Sequence, residues 1–353
     1  MIRPRATTLA LGAAAAFTIN LAQATSDYRI VEVYNSSNFF QEFDFFDQPD
    51  PTNGFVEYVN ATTANVEGLA GFTEGGVYLG VDYTSQTTTG RKSTRVSSKK
   101  AFTGGLFIAD IAHMPAGGSR NTDSCGIWPA YWMFGPNWPL GGEIDILEGV
   151  NTQESNSITL HTGEGCSMSN KGSLGSTKLV QPDCQGNIGC AQETASTENY
   201  GAGFNRQGGG VYALEWTDSA ISAWFFPRNS SLTAQLTASG SSSGRSTSHG
   251  LSAPDTSTFG QPLATFVGGS NCSLSKHFED HNIVFDTTFC GDWAGKIWSN
   301  DSTCSALAAK CEDYVGANPE KFSDAYWLVK EIRIYQKQDG SNASRRRAVG
   351  FSA

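Results

Sequence analysis

The 353-residue sequence is acidic, with a formal net charge of −10 and an isoelectric point near 5.0. This charge argues against a polyanionic partner such as DNA, because binding a polyanion requires stripes of lysine and arginine that release counterions. A neutral polymer is compatible with this negative charge. The length would allow two average domains, but no linker or internal repeat divides the chain, and β-sandwiches of this size often form one domain.

The first 24 residues are typical of a secretory signal peptide. Arg3 and Arg5 precede an apolar stretch at residues 9–21, which closes on Ala-Gln-Ala at residues 22–24. The stretch is too short to span a bilayer, which takes about 20 apolar residues. We therefore expect residues 1–24 to be removed and the remainder to be secreted, without membrane insertion. Asn-x-Ser/Thr sequons fit an extracellular glycoprotein and lie at Asn35, Asn60, Asn229, Asn271, Asn300 and Asn342.

Cysteine usage predicts disulfides. The eight cysteines all follow residue 24, and an even count behind a signal peptide is typical of a disulfide framework. A zinc site is disfavoured because the spacings include no CxxC and no tight His/Cys cluster, so we expect no metal. The connectivity stays open, since eight cysteines allow about a hundred pairings. They are Cys125, Cys166, Cys184, Cys190, Cys272, Cys290, Cys304 and Cys311.

Short runs of β-branched and aromatic residues, separated by Gly, Asn, Pro and Ser, predict a chain dominated by strands. One helical pattern covers residues 304–315 and would place Cys304 and Cys311 about 10 Å apart, so each should pair with another cysteine. Many strands and one short helix favour an antiparallel sandwich or barrel. The predicted strands are residues 106–112, 127–134, 143–147, 157–161, 211–216, 221–226, 283–285 and 326–336. The strands at 211–216 and 221–226 are predicted to form a hairpin.

Residues 143–148, Glu-Ile-Asp-Ile-Leu-Glu, place three acids in one predicted strand. An exposed acidic strand edge explains them poorly, because like charges repel and Asp is a poor strand former. Glu143 and Asp145 share a face of a regular strand, whereas Glu148 would point the other way. A β-bulge near Ile146 or Leu147 would return Glu148 to their face. The two glutamates could then lie about 5 to 5.5 Å apart, as in retaining glycosidases, one ionised and the other protonated.

Tryptophans and a histidine accompany these acids. Trp128 and Trp132 are four residues apart on one predicted strand and share a face, which suits a sugar-binding groove and a hydrophobic core equally. Trp138 lies in a loop rich in Gly and Pro and is the better groove candidate. His161 ends the next strand and could reach the acids if that strand pairs with theirs, although a purely structural role is an equal alternative.

The sequence between Trp128-Pro-Ala-Tyr-Trp132 and Gly142-Glu-Ile-Asp-Ile-Leu-Glu-Gly-Val-Asn151 resembles glycoside hydrolase family 16, in particular the fungal endo-1,3(4)-β-glucanases of laminarinase type. The five-residue spacing of the glutamates matches the bulged laminarinase type. The resemblance implies an all-β fold, a concanavalin-like β-jelly-roll sandwich of two curved antiparallel sheets with the cleft on the concave face. Further similar segments lie at residues 112–115, 158–162, 289–295, 311–315 and 324–327.

The resemblance also implies roles for single residues. Glu143 would be the nucleophile, Glu148 the general acid and then base, and Asp145 would orient and tune the nucleophile. The residues expected to line glucosyl subsites are Trp132, Trp138, His161 and Trp293, with Trp128 close behind.

We therefore expect a monomeric, cofactor-free, endo-acting retaining hydrolase of β-1,3 or mixed β-1,3/1,4 glucan. Its catalytic domain would span residues 25–340, followed by a disordered tail at 341–353. Residues 116–124 and a Ser-rich stretch near 240 depart from the family and would reshape the cleft rim. Two enzyme alternatives, a transglycosylase and a β-1,3-galactan hydrolase, would use the same machinery. A non-catalytic glucan-binding protein is disfavoured, because such proteins typically lose a catalytic glutamate.

Overall fold

The structure is a computed structural model that describes residues 28–117, 124–168, 177–238 and 253–337. The predicted signal peptide and C-terminal tail, most of the segment at 116–124 and most of the Ser-rich stretch lie outside the described residues. Among the described residues, no helix combines the length and the apolar character that crossing a bilayer requires.

Strands dominate the described part of the chain, because β-branched and aromatic residues alternate with polar ones over short runs bounded by turn residues. In chain order they are β1 (Tyr28–Asn35), β2 (Phe43–Phe45), β3 (Val56–Tyr58), β4 (Ala70–Thr73), β5 (Gly76–Leu79), β6 (Arg91–Ser93), β7 (Arg95–Ser98), β8 (Gly105–His113), β9 (Ile127–Phe134), β10 (Glu143–Glu148), β11 (Ser157–His161), β12 (Thr177–Gln181), β13 (Cys190–Thr194), β14 (Gly210–Trp216), β15 (Ala220–Pro227), β16 (Ala264–Val267), β17 (Asn282–Phe289) and β18 (Trp327–Lys337).

Two large antiparallel sheets are formed by these strands. The site sheet has the order β12-β13-β11-β10-β9-β17-β7-β2, and the back sheet has the order β16-β15-β14-β8-β18-β5-β4, with β1 also paired to β18. A short parallel pair joins β3 to β6. The eight predicted strands are all present, and β14 and β15 form the predicted hairpin. The all-β prediction is confirmed.

The main core lies between the two sheets. Met133, Ile144 and Leu160 of the site sheet are fully buried in the same hydrophobic cluster as Phe107 and Ile332 of the back sheet. Since side chains alternate along a strand, burying one face of β9, β10 and β11 directs the intervening residues to the opposite face. That opposite face of the site sheet carries the predicted acids.

The helices are short and peripheral. The predicted single helix at residues 304–315 was wrong, because the chain forms two separate helices there, and Leu307, placed by the pattern on the buried face, is 42% exposed between them. Cys304 and Cys311 are tied to different partners, which anchors each helix independently. The α-helices are α1 (Phe39–Glu42), α2 (Ala61–Val66), α3 (Gly201–Arg206), α4 (Ser231–Thr237), α5 (Leu274–His277), α6 (Ser302–Ser305) and α7 (Cys311–Ala317).

All eight cysteines form disulfides, as predicted. Cys304 and Cys311 pair with other cysteines, as expected, although the single helix from which this was argued is not formed. The four bridges are Cys125–Cys304, Cys166–Cys272, Cys184–Cys190 and Cys290–Cys311.

Candidate active site

A β-bulge on β10 brings the three acids together. Asp145 and Leu147 pair with consecutive residues of β9, so Ile146 is an extra residue in the strand. Glu143, Asp145 and Glu148 therefore lie opposite alternate residues of β9 and share one face of the site sheet. The predicted bulge is confirmed. We call this surface the carboxylate face.

The neighbouring strands place aromatic side chains on the same face. Asp145 pairs with Trp132 of β9, and Trp128, four residues earlier, shares its face. Both indoles are half-buried and neither belongs to the described hydrophobic clusters, so the core alternative is wrong for these two residues. On the other side, Glu143 pairs directly with His161 of β11. The expectation that the next strand along the chain pairs with β10 is confirmed.

Each glutamate accepts a hydrogen bond from an indole. Nε1 of Trp128 donates to Oε1 of Glu148 over 2.7 Å. Nε1 of Trp138 donates to Oε2 of Glu143. Trp138 extends from the loop between β9 and β10 and is 44% exposed, so it borders the carboxylate face from the solvent side. Hydrogen bonds to a carboxylate favour its ionised form, so both indoles oppose protonation of their partner.

His161 supplies positive charge beside the acids. Its Nε2 lies 3.2 Å from Oδ2 of Asp145 and 4.0 Å from Oε1 of Glu143. Its Nδ1 lies 2.8 Å from the carbonyl oxygen of Gly186. Burial disfavours the imidazolium, but the contact with Asp145 and the charges of Asp145 and Glu143 raise the pKa of His161 to about 10.

The surroundings raise the pKa of both glutamates. Burial, followed by the charge of Asp145, raises the pKa of Glu143 to about 8, against the opposing effects of His161 and Trp138. Burial and the charge of Asp145 also hold the pKa of Glu148 well above its usual range, against the hydrogen bond from Trp128. His161 lies closer to Glu143 than to Glu148, so of the two glutamates Glu148 stays protonated more readily. The pair can therefore offer one anion and one acid.

A second charged pair lies on the carboxylate face beside Trp132 and was not predicted. Nε1 of Trp132 donates to Oδ2 of Asp286 over 3.3 Å, and Arg95 lies 3.8 Å from the same oxygen. The Arg95 guanidinium also packs over the Trp132 ring, 5.0 Å from its centroid. Burial raises the pKa of Asp286 to about 7, although Arg95 opposes the rise. The only sequence signal for this pair was an aspartate within the apolar strand β17.

Trp293 lies on a single π-helical turn at Gly291–Gly295, directly after β17. Its ring meets that of Trp128 edge to face, with centroids 5.6 Å apart. The structure thus groups Trp128, Trp132, Trp138, His161 and Trp293 around the acids. Their contact with a sugar chain stays a prediction.

One group of side chains on this face has the composition of a cation site. Oxygen or nitrogen atoms of Glu143, Asp145 and His161 lie within 4.8 Å of one another. The imidazolium of His161 already balances negative charge there, so an ion pair accounts for the arrangement and we assign no metal to it.

Two stacked antiparallel sheets, with paired glutamates and indoles on one open face, define a jelly-roll glycosidase class of protein. A family model described as the XgeA-like catalytic GH16 domain matches residues 43–335. The chain therefore belongs to glycoside hydrolase family 16.

Individual relatives agree with this family. Over 340 residues the chain is 41% identical to a probable endo-1,3(4)-beta-glucanase of Aspergillus clavatus, covering 93% of this chain and 49% of that protein. The chain thus spans about half the length of this relative.

Two solved structures are also similar. An elongating GH family 16 beta-1,3-glucosyltransferase is 39% identical with a TM-score of 0.75, covering 88% of this chain and 100% of that one. Laminarinase 16A from Phanerochaete chrysosporium, solved with 6-O-glucosyl-laminaritriose, is 35% identical with a TM-score of 0.76. The match covers 88% of this chain and 99% of that one.

Proposed function

We propose that this chain is an endo-acting retaining hydrolase of β-1,3 and mixed β-1,3/1,4 glucans. The bulge at Ile146 carries the proposal, because it turns Glu143 and Glu148 to one face of the site sheet. A regular strand would separate them. The similar proteins include a probable endo-1,3(4)-beta-glucanase and a laminarinase, which supports glucan as the substrate.

In the first step, a carboxylate oxygen of Glu143 bonds to the anomeric carbon while the glycosidic C–O bond breaks. Glu148 gives its proton to the leaving oxygen, so the shorter glucan departs as an alcohol. In the second step, Glu148 removes a proton from water, and the water oxygen attacks the anomeric carbon and releases Glu143. Two displacements retain the anomeric configuration.

Asp145 and His161 act on this cycle through the glutamates. Asp145 is only 2% exposed and its charge raises the pKa of Glu148, which keeps the acid protonated before the first step. His161 opposes protonation of Glu143 and so favours the nucleophilic anion. Indoles of Trp128, Trp132, Trp138 and Trp293 would stack against pyranose rings along the carboxylate face.

The proposal is tested by Glu143→Gln and Glu148→Gln, assayed separately for reducing-end release from laminarin. Each variant should lose roughly 10³-fold or more in kcat/KM, because each removes a group that reacts in the transition state. Glu312→Gln is the matched control, since Glu312 is exposed on α7, outside the carboxylate face. Proton NMR of the first products should show the β-anomer. Wild-type turnover in either site variant, or an initial α-anomer, contradicts the proposal.

A second candidate is transglycosylation, in which a sugar hydroxyl replaces water in the second step. One observation favours it: the similar structure at 39% identity is an elongating glucosyltransferase. Sizing the products of laminarin oligosaccharides decides between the two. Products that are all shorter than the starting chain indicate hydrolysis, whereas products longer than it, which form together with a shorter leaving fragment, indicate transfer.

We also propose secretion after removal of residues 1–24, with N-glycans and a monomeric state. The side chains of Asn60, Asn229, Asn271 and Asn300 are exposed, which suits glycan attachment, and disulfides suit an oxidising compartment. The exported protein should begin at Thr25 and lose mass on treatment with an N-glycanase.

A further inference from the structure

A small disulfide-closed turn lies against the imidazole of His161. It connects β12 to β13 and is closed by the bridge between Cys184 and Cys190, whose Cα atoms are 4.2 Å apart. Both cysteines are fully buried. Its sequence, Cys-Gln-Gly-Asn-Ile-Gly-Cys, contains no side chain that carries a charge. We call residues 184–190 the Cys184–Cys190 turn.

The turn is joined to the end of β11 by backbone hydrogen bonds. The amide of Thr162 donates to the carbonyl of Cys184 over 2.7 Å, and the amide of Gly186 donates back to the carbonyl of Thr162 over 3.0 Å. Cys190 pairs with Leu160 in the sheet. These bonds fix the turn relative to the backbone on both sides of His161.

Two glycines of the turn contact the imidazole itself. The carbonyl oxygen of Gly186 lies 2.8 Å from Nδ1 of His161. A Cβ atom at Gly189 would lie 2.7 Å from Cε1 and 2.8 Å from Nδ1 of the same ring, and 2.7 Å from the carbonyl oxygen of Leu160. The φ angle of Gly189 is +66°. Any larger residue at position 189 would therefore strain the backbone and displace the ring. One glycine holds the ring by a hydrogen bond, and the other leaves room for it.

This contact fixes which ring nitrogen carries a hydrogen. A carbonyl oxygen can only accept, so Nδ1 must carry a hydrogen to bond with Gly186. Nε2 is then an acceptor in the neutral ring and a donor only in the imidazolium. Because Nε2 faces Asp145 at 3.2 Å and Glu143 at 4.0 Å, the held orientation favours the cation.

Among the described residues, the carboxylates that raise the pKa of His161 belong to one strand. Asp145 and Glu143 face the ring from β10, and Glu148 of β10 acts from farther away. The Cys184–Cys190 turn contributes no titratable side chain, and Glu193 of β13 pairs with Ser157 at the far end of β11. The turn can therefore act on the site only through the position of the imidazole.

We propose that the Cys184–Cys190 turn is a positioning element of the active site, which holds His161 in the tautomer and orientation that face Asp145 and Glu143. This inference rests on the proposed function and deepens it. His161 is a positioning residue for Glu143, and the turn is the positioning device for His161.

Two variants test the turn by different means. The double variant Cys184→Ser/Cys190→Ser opens the turn, and Gly189→Ala pushes a methyl group into the ring. In each, kcat should fall roughly 10- to 100-fold with a smaller change in KM, as expected for a misplaced group in the site. The acid limb of the kcat/KM profile should move up by about one pH unit, because loss of the nearby cation raises the pKa of Glu143. Gln185→Ala is the matched control, since its exposed side chain lies in the same turn.

A spectroscopic measurement makes the test independent of activity. Long-range proton–nitrogen NMR of the wild-type imidazole should show His161 with Nδ1 protonated, and with both nitrogens protonated at neutral pH. In the two turn variants the apparent pKa of His161 should fall by about one unit or more. Far-UV circular dichroism and thermal unfolding identify variants that have lost the fold.

The positioning role is wrong if folded turn variants keep the wild-type pH profile and imidazole signals. It is also wrong if wild-type His161 is protonated on Nε2 alone, a result that needs no variant. Failure of the proposed function has a different signature, because Glu143→Gln would then keep wild-type turnover whatever the state of His161.

Discussion

Two histidines, the half-buried His161 of β11 and the fully buried His281 just before β17, each contact a backbone carbonyl but differ in their electrostatics. Nδ1 of His161 lies 2.8 Å from the carbonyl of Gly186, and Nε2 of His281 lies 2.8 Å from the carbonyl of Gly141. Burial disfavours the charged form of both rings. Yet the pKa of His161 is raised to about 10, while burial lowers the pKa of His281 to about 4.

The remaining neighbours explain the difference. His161 faces Asp145 and Glu143, whereas His281 packs against the rings of Trp216 and Phe278, at centroid distances of 4.7 and 5.9 Å. The carboxylates beside His161 outweigh the effect of burial, whereas the hydrogen bond with Gly141 and the charge of Asp280 do not outweigh it at His281. The comparison separates a histidine that faces carboxylates from one that holds structure, since His281 contacts the carbonyl of Gly141 in the loop that carries Trp138.

The largest expected effect is on catalysis after replacement of His161. His161→Gln keeps a polar side chain but removes the charge, so kcat/KM for laminarin should fall roughly 10²-fold or more. The acid limb of the pH profile of kcat/KM should move to higher pH, because the pKa of Glu143 rises when the His161 cation is removed. His281→Gln is the control and should keep most of the activity in the fraction that folds. Equal losses in the two folded variants would remove the distinction between the histidines.

A smaller effect is expected from the two indoles, which act on the glutamates as uncharged donors. Trp138→Phe should raise the pKa of Glu143 and move the acid limb of kcat/KM upward. Trp128→Phe should raise the pKa of Glu148 and move the alkaline limb upward, since Glu148 must be protonated. A hydrogen bond to a charged group contributes about 1.5–3 kcal/mol. Because Trp138 is exposed to solvent, its hydrogen bond to Glu143 should contribute less than the bond from Trp128 to Glu148. Shifts of the same limb in both variants would contradict the assignment of nucleophile and acid.

The smallest effect concerns stability. The pKa of His161 is raised on folding, so its contribution is fully present below about 6.5 and is lost as pH rises toward about 10. The pKa of His281 is lowered, so its contribution is present above about 6.5 and is lost as pH falls toward about 4.

Denaturant unfolding across this pH range checks both signs. His281→Phe should flatten the loss of stability between pH about 6.5 and 4, and His161→Gln should flatten the loss on the alkaline side. An unchanged pH dependence in both variants would show that other groups control it.

The acid site was predictable from sequence because its information is local. The spacing of Glu143, Asp145 and Glu148 required an extra residue for a common face, and the structure places it at Ile146. The position of His161 beside the acids was expected if the next strand paired with theirs, which it does, whereas its role was implied only by the family resemblance. Together with the family resemblance, alternation of residues along the strands was enough for the fold class.

The features that could not be predicted depend on contacts between residues far apart in the chain. Arg95 and Asp286 lie far apart in the chain and meet because β7 pairs with β17. The contact of Gly186 with His161 depends on which cysteines pair, and spacing alone does not determine this. The predicted helix at residues 304–315 is divided into α6 and α7, and its two cysteines are bridged to different partners.

Covalent trapping tests the shared face of Glu143 and Glu148 most directly. Wild-type protein is incubated with 2-deoxy-2-fluoro-β-laminaribiosyl fluoride, digested with a protease and sequenced by mass spectrometry. The account predicts one sugar adduct, on the side chain of Glu143, and none in Glu143→Gln. An adduct on Glu148 or Asp145, or a wild-type enzyme that cleaves laminarin without ever being labelled at Glu143, would contradict it.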